Sequence, residues 1–267
     1  NSTKRKEALI MKVAIVGVGS MGGAIMQGLN NLTKYDLIAL NPKNPRVEKL
    51  AHEYKFKLVF DPQSLVELQP DVVILTTPAP VTVTVAEQLQ ALDPHTIVIS
   101  AAAGVKRVDL QKALINNPVA TMIPNTPVSV NAGTIGLSLN PTFDKTIKDT
   151  IVQLLNDLGD VVLVPEEQLD IVGVIGGCGP AFVDVFMDAM SDAAVKHGLN
   201  RQTAYRLIAS MVKGSGALAY ETRQSPAALR DQVASPAGTT IRGLAALEKH
   251  GFRYGVIDAV DKASDED

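Results

Sequence analysis

The chain is poor in the residues that mark several functional classes. Of its 267 residues none is tryptophan, and aromatic residues make up only 4%. That leaves little material for stacking nucleic-acid bases or for building an aromatic ligand cage. The formal net charge is −3 and no basic stripe appears, so neither nucleic acid nor a membrane surface is expected as a partner. A single cysteine, Cys178, excludes an internal disulfide and a cysteine-rich zinc site, and it fits a reducing cytoplasm. No stretch approaches the ~20 consecutive apolar residues of a membrane span. Ala8-Leu9-Ile10 is too short for a signal-peptide core, so residues 1–10 read as a tail or cloning remnant ahead of a start at Met11. The expectation is a soluble, cytoplasmic protein.

Catalytic furniture is equally sparse. His52, His95, His197 and His250 fall in helix or helix-end patterns. There is no Ser-His-Asp constellation, no His-x-x-x-His and no carboxylate pair in a glycine-framed loop. Neither a metal centre nor a covalent nucleophile is expected.

Apolar residues, at 46%, are ample for a core, and the length accommodates two domains at about 150 residues each. The organising stretch is Val13-Ala14-Ile15-Val16-Gly17-Val18-Gly19-Ser20-Met21-Gly22. An apolar strand ends in Gly-x-Gly-x-x-Gly and passes into a helix, which is the opening of a dinucleotide-binding βαβ unit. Gly17 permits the tight turn, Gly19 lets the backbone approach a pyrophosphate, and Gly22 lets helix pack on strand. The N–H groups at Ser20 and Met21, together with the helix dipole, then face the phosphates.

The second strand, Asp36 to Leu40, ends at Asn41-Pro42-Lys43-Asn44-Pro45-Arg46. An acidic residue at such a tip would hold the ribose 2′-hydroxyl of NAD, whereas cations suit the 2′-phosphate of NADP. The tip carries Asn41, Lys43 and Arg46 and no acid. NADP(H) is therefore the expected cofactor, with NAD(H) possible.

Strands at Lys57–Val59, Asp71–Thr76, Thr96–Ser100 and Ala120–Ile123 then alternate with helices. Continuous apolar strands in such alternation predict an α/β fold, a Rossmann-type doubly wound, mostly parallel sheet covered on both faces. The strand tips Thr76-Thr77-Pro78, Ala101-Ala102-Ala103-Gly104 and Pro124-Asn125-Thr126-Pro127 lie at the sheet edge where ligands bind, although such residues also make ordinary turns. This domain is expected over residues 11–164. Beyond Pro165 only helices are predicted, forming an all-α domain over 165–267. Its helix Pro180 to Lys196 keeps polar residues to the stripe Asp184, Asp188, Asp192 and Lys196. A helix so apolar elsewhere is buried on most sides, which predicts a bundle formed between subunits.

Two turns in this half stand out. Gly176-Gly177-Cys178-Gly179-Pro180 and Ser235-Pro236-Ala237-Gly238-Thr239-Thr240 each lead into a helix start. Each reads either as a carboxylate or phosphate receptor or as a well-made helix cap. Cys178, between two glycines, reads as a space-filling residue rather than a reactive thiol.

Five segments, in order, resemble the pyrroline-5-carboxylate reductase family across nearly the whole chain, from Met11 to about Lys262. They are Gly17-Val18-Gly19-Ser20-Met21-Gly22, Ala101-Ala102-Ala103-Gly104-Val105, Pro124-Asn125-Thr126-Pro127, Gly177-Cys178-Gly179-Pro180-Ala181-Phe182 and Ser235-Pro236-Ala237-Gly238-Thr239-Thr240-Ile241. The resemblance implies NAD(P)H-dependent reduction of a small cyclic imine carboxylate to L-proline, the last step of proline biosynthesis. It implies that Ser235, Ala237, Gly238 and Thr239, with Cys178 nearby, bind the carboxylate, and that Thr240 is the catalytic residue at the imine nitrogen. It places Asn125, Ala103 and Gly104 on the nicotinamide side, with Thr76, Thr77 and Pro78 at the cofactor. It also implies a homodimer through the helical domain, assembling further in some members.

The chain departs from that pattern at four positions. Thr77 stands where the family commonly has lysine, Thr121 where it has arginine, Ala237 where it has glycine and Cys178 where it has serine. These departures keep open a noncatalytic NADP-binding relative acting as a regulatory or partner-binding module. A β-hydroxyacid dehydrogenase shares the glycine-rich opening but needs a lysine placed nearer its helix start than Lys196, and the Ser-Pro-x-Gly-x-Thr loop is foreign to it.

Overall fold

The structure, a computed structural model, describes residues 10–264, so the tail expected over residues 1–10, except for Ile10, and the acidic end Asp265–Asp267 lie outside the described residues. The chain divides into two compact units, one ending at Gly177 and one beginning at Cys178.

The first unit runs β1 (Met11–Val16), α1 (Ser20–Asn30), β2 (Tyr35–Leu40), α2 (Pro45–Tyr54), β3 (Lys57–Val59), α3 (Pro62–Glu67), β4 (Val72–Leu75), α4 (Ala79–Glu87), β5 (Ile97–Ser100), α5 (Arg107–Ala113), β6 (Val119–Ile123), β7 (Gly133–Ser138), α6 (Lys145–Asn156), β8 (Gly159–Leu163) and α7 (Leu169–Gly173). The eight strands form one sheet in the order β3-β2-β1-β4-β5-β6-β7-β8. All neighbours are parallel except β6 and β7, where Thr121 faces Ser138 in an antiparallel pair.

The uninterrupted apolar strands follow from having both faces covered. Val13 and Ile15 pack with Ile25, Met26 and Leu29 of α1. Ala14 and Val16 point the other way, into a cluster with Leu65, Leu89, Leu110 and Leu114. The chain winds outward from β1 through β2 to β3, then returns to lay β4 on the other side of β1. The order reverses between β1 and β4, and a crevice opens at such a reversal, outside the carboxyl ends of the strands.

β7, α6 and the helix near the chain end, Phe252–Ser264, were not anticipated from the sequence pattern. Gly133-Thr134-Ile135-Gly136-Leu137-Ser138 carries two glycines, which read as turn residues although the strand is central in the sheet. Ile135 and Leu137 are nonetheless fully buried, so tertiary packing overrides the weak local propensity.

The second unit contains α8 (Gly179–Lys196), α9 (Arg201–Thr222), α10 (Pro226–Val233), α11 (Thr239–Lys249) and α12 (Phe252–Ser264). Gly198, with φ +93°, ends α8, and the Asn200 side chain caps α9 by accepting from the N–H groups of Gln202 and Thr203. Ser191 of α8 is fully buried and accepts a 2.9 Å hydrogen bond from Arg201, whose guanidinium also reaches Asp192 at 2.7 Å. Large apolar residues remain exposed on these helices, Val185 and Leu207 and Ile257 among them.

One expectation about this region is corrected. Glu166–Lys196 contains an 18-residue stretch of mean hydropathy 1.6, and by length and composition alone it is apolar enough to cross a membrane. A strictly apolar run is broken there by aspartates and glycines, whereas the averaged hydropathy reads through them.

Candidate active site

The glycine-rich turn sits at the β1/β4 crevice. Gly17 adopts φ +93°, and its N–H donates to the Leu40 carbonyl (2.9 Å) while a Cβ there would press on Thr77 Cγ2 (3.1 Å) and the Thr76 carbonyl (3.2 Å). Gly22 is packed so closely on the turn that a methyl would collide with the Gly17 carbonyl oxygen and lie 2.6 Å from Thr76 Oγ1. At Gly19 the corresponding space is open. The turn at Gly17 and the packing at Gly22 are those expected of these two glycines. α1 starts at Ser20 with Gly19 as its N-cap, and no side chain accepts from its first-turn N–H groups. By contrast α2, α3 and α6 carry side-chain caps from Asn44, Asp61 and Asp144. Uncapped N–H groups at a helix start are suited to an anion.

β4 supports the turn from below. Thr76 N–H donates to Val16 O (2.9 Å), and Thr76 Oγ1 lies 2.6 Å from Gly17 O and 3.1 Å from Val16 O. The Thr77 hydroxyl pairs with that of Thr82 at 2.8 Å, and Thr82 also donates to the carbonyls of Thr77 and Pro78. The Thr76-Thr77-Pro78 tip is therefore tied to the first turn of α4 by local hydroxyl bonds.

Two residues expected at the 2′-position of the cofactor are used elsewhere. Asn41, largely buried, accepts from Val18 N–H (2.8 Å) through Oδ1 and donates to the Pro42 carbonyl (2.8 Å) through Nδ2. Arg46 donates through Nη2 to the Val18 carbonyl. The two side chains thus hold Val18 by its N–H and by its carbonyl, and with it the turn. Lys43 alone remains uncommitted to the turn, with Nζ 5.9 Å from the centre of the Phe60 ring.

A cavity of about 620 Å³ opens here, lined by the expected Gly17, Gly19, Ser20, Asn41, Thr76, Thr77 and Pro78 and also by Val16, Leu40, Pro42, Phe60, Pro62, Val81, Val85 and Gln88. Sequence reasoning missed the second group. Phe60 was its one legible signal, an aromatic residue directly after a strand end that remains 45% exposed. The apolar lining suits an adenine ring and the uncapped start of α1 suits phosphates, so the residues present fit a dinucleotide. Met21 and Gly22 lie within α1 and are not part of the lining.

At the tips of β5 and β6 the expected residues part company. Ala103 is exposed and Gly104 lines a separate cavity of about 400 Å³ together with Thr121 and Glu166. Asn125, 5% exposed, spends its side chain inside the fold: Nδ2 donates to the Gly176 carbonyl (3.0 Å) and Oδ1 accepts from Thr134 N–H (2.8 Å). Its expected contact with the cofactor is thus replaced by a brace between β6, β7 and the segment after α7.

That segment corrects another expectation. Val174–Cys178 is a π-helical turn rather than a flexible loop, and Cys178 is itself helical (φ −87°, ψ −31°) where α8 begins. Its backbone N–H groups are not released as they are at a true helix start, so Gly176–Pro180 offers no anion receptor of the kind foreseen.

Ser235–Thr240 does. Gly238 N–H closes the turn onto the Ser235 carbonyl at 3.1 Å, and the Ser235 hydroxyl lies where a Gly238 Cβ would stand. α11 then opens at Thr239 with Gly238 as N-cap and no side-chain acceptor. Ala237 adopts φ +57°, the left-handed region in which glycine is at ease. The methyl where the family has glycine is thus a strained residue at the centre of the loop.

Comparison with known proteins gives these arrangements a family. Residues 166–267 match the model for pyrroline-5-carboxylate reductase dimerisation, and residues 12–104 match that for NADP oxidoreductase, coenzyme F420-dependent. A pyrroline-5-carboxylate reductase from Synechocystis is 33% identical over 256 residues, covering 95% of this chain and 96% of its own. The chain belongs to the pyrroline-5-carboxylate reductase family. The Escherichia coli reductase is 32% identical over 94% of this chain and 95% of its own. Among solved structures, the Coxiella burnetii reductase superposes with a TM-score of 0.83 at 30% identity, covering 96% of each chain. The Plasmodium falciparum enzyme, solved with NADP bound, gives 0.82 at 27% identity and 95% of each. Members of the pyrroline-5-carboxylate reductase family are NAD(P)H-dependent oxidoreductases, and this chain carries both the nucleotide-binding domain and the dimerisation domain.

Proposed function

We propose that the chain reduces 1-pyrroline-5-carboxylate to L-proline, with NADPH as the preferred reductant. The observation that carries the reading is the pair of uncapped helix starts, at α1 and at α11, each preceded by a glycine-bearing turn in a chain of this family. The first suits the cofactor's phosphates and the second a carboxylate.

When bound, the cofactor supplies the hydride received by the imine carbon. The protein's tasks are then to hold, orient and provide a proton. The turn from Gly17 to Ser20 cradles the pyrophosphate, with Asn41 and Arg46 fixing it from behind. Lys43 neutralises the 2′-phosphate, and the Phe60, Val81 and Val85 wall receives adenine. Ala103 and Gly104 line the nicotinamide side.

The N–H groups of Ala237 and Thr239 bind the substrate carboxylate, while Gly238 N–H, on the Ser235 carbonyl, and the Ser235 hydroxyl brace the loop. Thr240 hydrogen-bonds the imine nitrogen. A threonine hydroxyl is too weak an acid to deliver the proton near neutrality. That proton comes with the substrate as its iminium form, or from a water held by Thr240.

The exposed apolar surface of α8, α11 and α12 is closed by a second copy, consistent with the dimerisation model that spans them. This surface, rather than a bilayer, accounts for the hydropathy of α8. Proline formation from pyrroline-5-carboxylate with NADPH and with NADH, on protein whose mass is measured by light scattering, tests the reading. Turnover faster with NADPH by a dimer or multiple of dimers supports it. NADPH binding without turnover overturns it in favour of a noncatalytic relative.

A further inference from the structure

α5 lacks a local cap. Its N-cap residue is Lys106, which has no acceptor in its side chain, and no side chain nearby in sequence takes its place. The acceptor comes from 59 residues further on: Glu166 Oε1 receives the Arg107 N–H at 2.6 Å. The same oxygen accepts from the Thr121 hydroxyl at 3.3 Å, and Oε2 lies 4.0 Å from the Arg107 guanidinium. One carboxylate therefore joins the start of α5, the middle of β6 and the segment that leads into α7.

The loop this fixes is Ala101–Lys106. At its front, Ala101 N–H donates to the Leu75 carbonyl (2.8 Å) and Ala102 N–H to the Ser100 hydroxyl oxygen (3.3 Å). Its middle closes weakly, Val105 N–H onto the Ala102 carbonyl at 3.3 Å, and leaves Ala103 and Gly104 exposed. At its far end the tertiary anchor is Glu166. The Arg107 and Glu166 side chains are only 21% and 28% exposed, and Arg107 Nη1 is buried without a partner. Removing the carboxylate would strand that cation and release the helix start together, and the loop would move with it.

We infer that Glu166 is a positioning residue for the cofactor: it sets the Ala101–Lys106 loop against the nicotinamide half without touching the adenosine half. The inference rests on the cofactor reading above, which puts Ala103 and Gly104 on the nicotinamide side. The full chain would be compared as wild type, Glu166→Ala and Glu166→Gln, by calorimetric titration with NADPH and with 2′-phospho-ADP-ribose, the same molecule without its nicotinamide. Glu166→Ala is expected to weaken NADPH on the order of tenfold while changing the fragment by less than about twofold. Glu166→Gln, whose amide oxygen still accepts the Arg107 N–H, is expected to restore most of the NADPH affinity. Should Glu166→Ala not fold, Glu166→Ala with Arg107→Met removes the stranded cation and carries the same comparison. Equal weakening of both ligands, or no change in either, would overturn the inference. Wild-type turnover is read separately, so a chain that binds NADPH differentially but reduces no imine defeats the substrate reading and leaves this one standing.

Discussion

The Thr76 hydroxyl lies 2.6 Å from the Gly17 carbonyl oxygen, which fastens the tip of β4 to the glycine-rich turn after β1. That bond crosses the point where the sheet order reverses, and Gly22 packs against the same carbonyl from α1. Three elements thus converge on one peptide oxygen. Thr76→Val keeps the shape and loses the bond. It is expected to cost about 1 kcal/mol of stability and to weaken NADPH a few-fold. Gly22→Ala forces the turn aside, costing about 1–3 kcal/mol and on the order of tenfold or more in NADPH affinity. Thermal melts and NADPH titrations check both.

The proposed preference for NADPH is assigned to Lys43, because Asn41 bonds Val18 N–H and Arg46 Nη2 bonds the Val18 carbonyl. Lys43→Ala is expected to lower kcat/KM for NADPH about tenfold while leaving that for NADH nearly unchanged. Arg46→Ala should instead impair both cofactors alike, since it loosens the turn that holds their common pyrophosphate. Steady-state kinetics with the two cofactors separates the two outcomes.

Acid sensitivity is expected near the adenosine wall. Asp61 caps α3 through its carboxylate, which the Ser64 N–H and then the Ser64 hydroxyl hold below the ordinary carboxylate range. A depressed folded-state value means that the cap's contribution is fully present above the unfolded value of about 3.9 and is lost as the pH falls through the folded one. Asp61→Asn retains an acceptor but does not titrate. Below about pH 4 the wild-type melting temperature should therefore fall more steeply than that of Asp61→Asn. Melts across the acidic range check this.

The strain at Ala237 has a sign that can be measured. Left-handed backbone costs a non-glycine residue about 1–2 kcal/mol, whereas glycine's freedom in the unfolded chain costs about 0.4–1 kcal/mol. With φ at +57° the first term wins, so Ala237→Gly should raise the melting temperature slightly. Denaturant unfolding gives the free-energy difference directly, and a loss of stability would contradict the account.

Much of the nucleotide-binding unit was legible because its signals are local. The tight turn at Gly17 and the close packing at Gly22 follow from spacing, and the mostly parallel sheet from apolar strands alternating with helices. What escaped depends on distant partners. Asn41 and Asn125 looked like ligand groups, and only the folded chain shows their amides spent on Val18, Gly176 and Thr134. Glu166 carried no pattern at all, since its partners lie 45 and 59 residues away. β7 was hidden by glycines that a buried sheet tolerates, and the Gly176-Gly177 pair read as a loop where the backbone closes a π-helical turn.

The measurement that tests the central claim most directly is proline formation from NADPH and pyrroline-5-carboxylate by wild type and Thr240→Ala, with NADPH affinity determined on the same samples. The account predicts wild-type turnover that falls about 100-fold or more in Thr240→Ala, with NADPH affinity unchanged because the α11 loop is assigned to the substrate alone. Undiminished turnover in Thr240→Ala would contradict the placement of the substrate at α11. Absence of turnover in a wild-type protein that binds NADPH would contradict the assigned reaction itself.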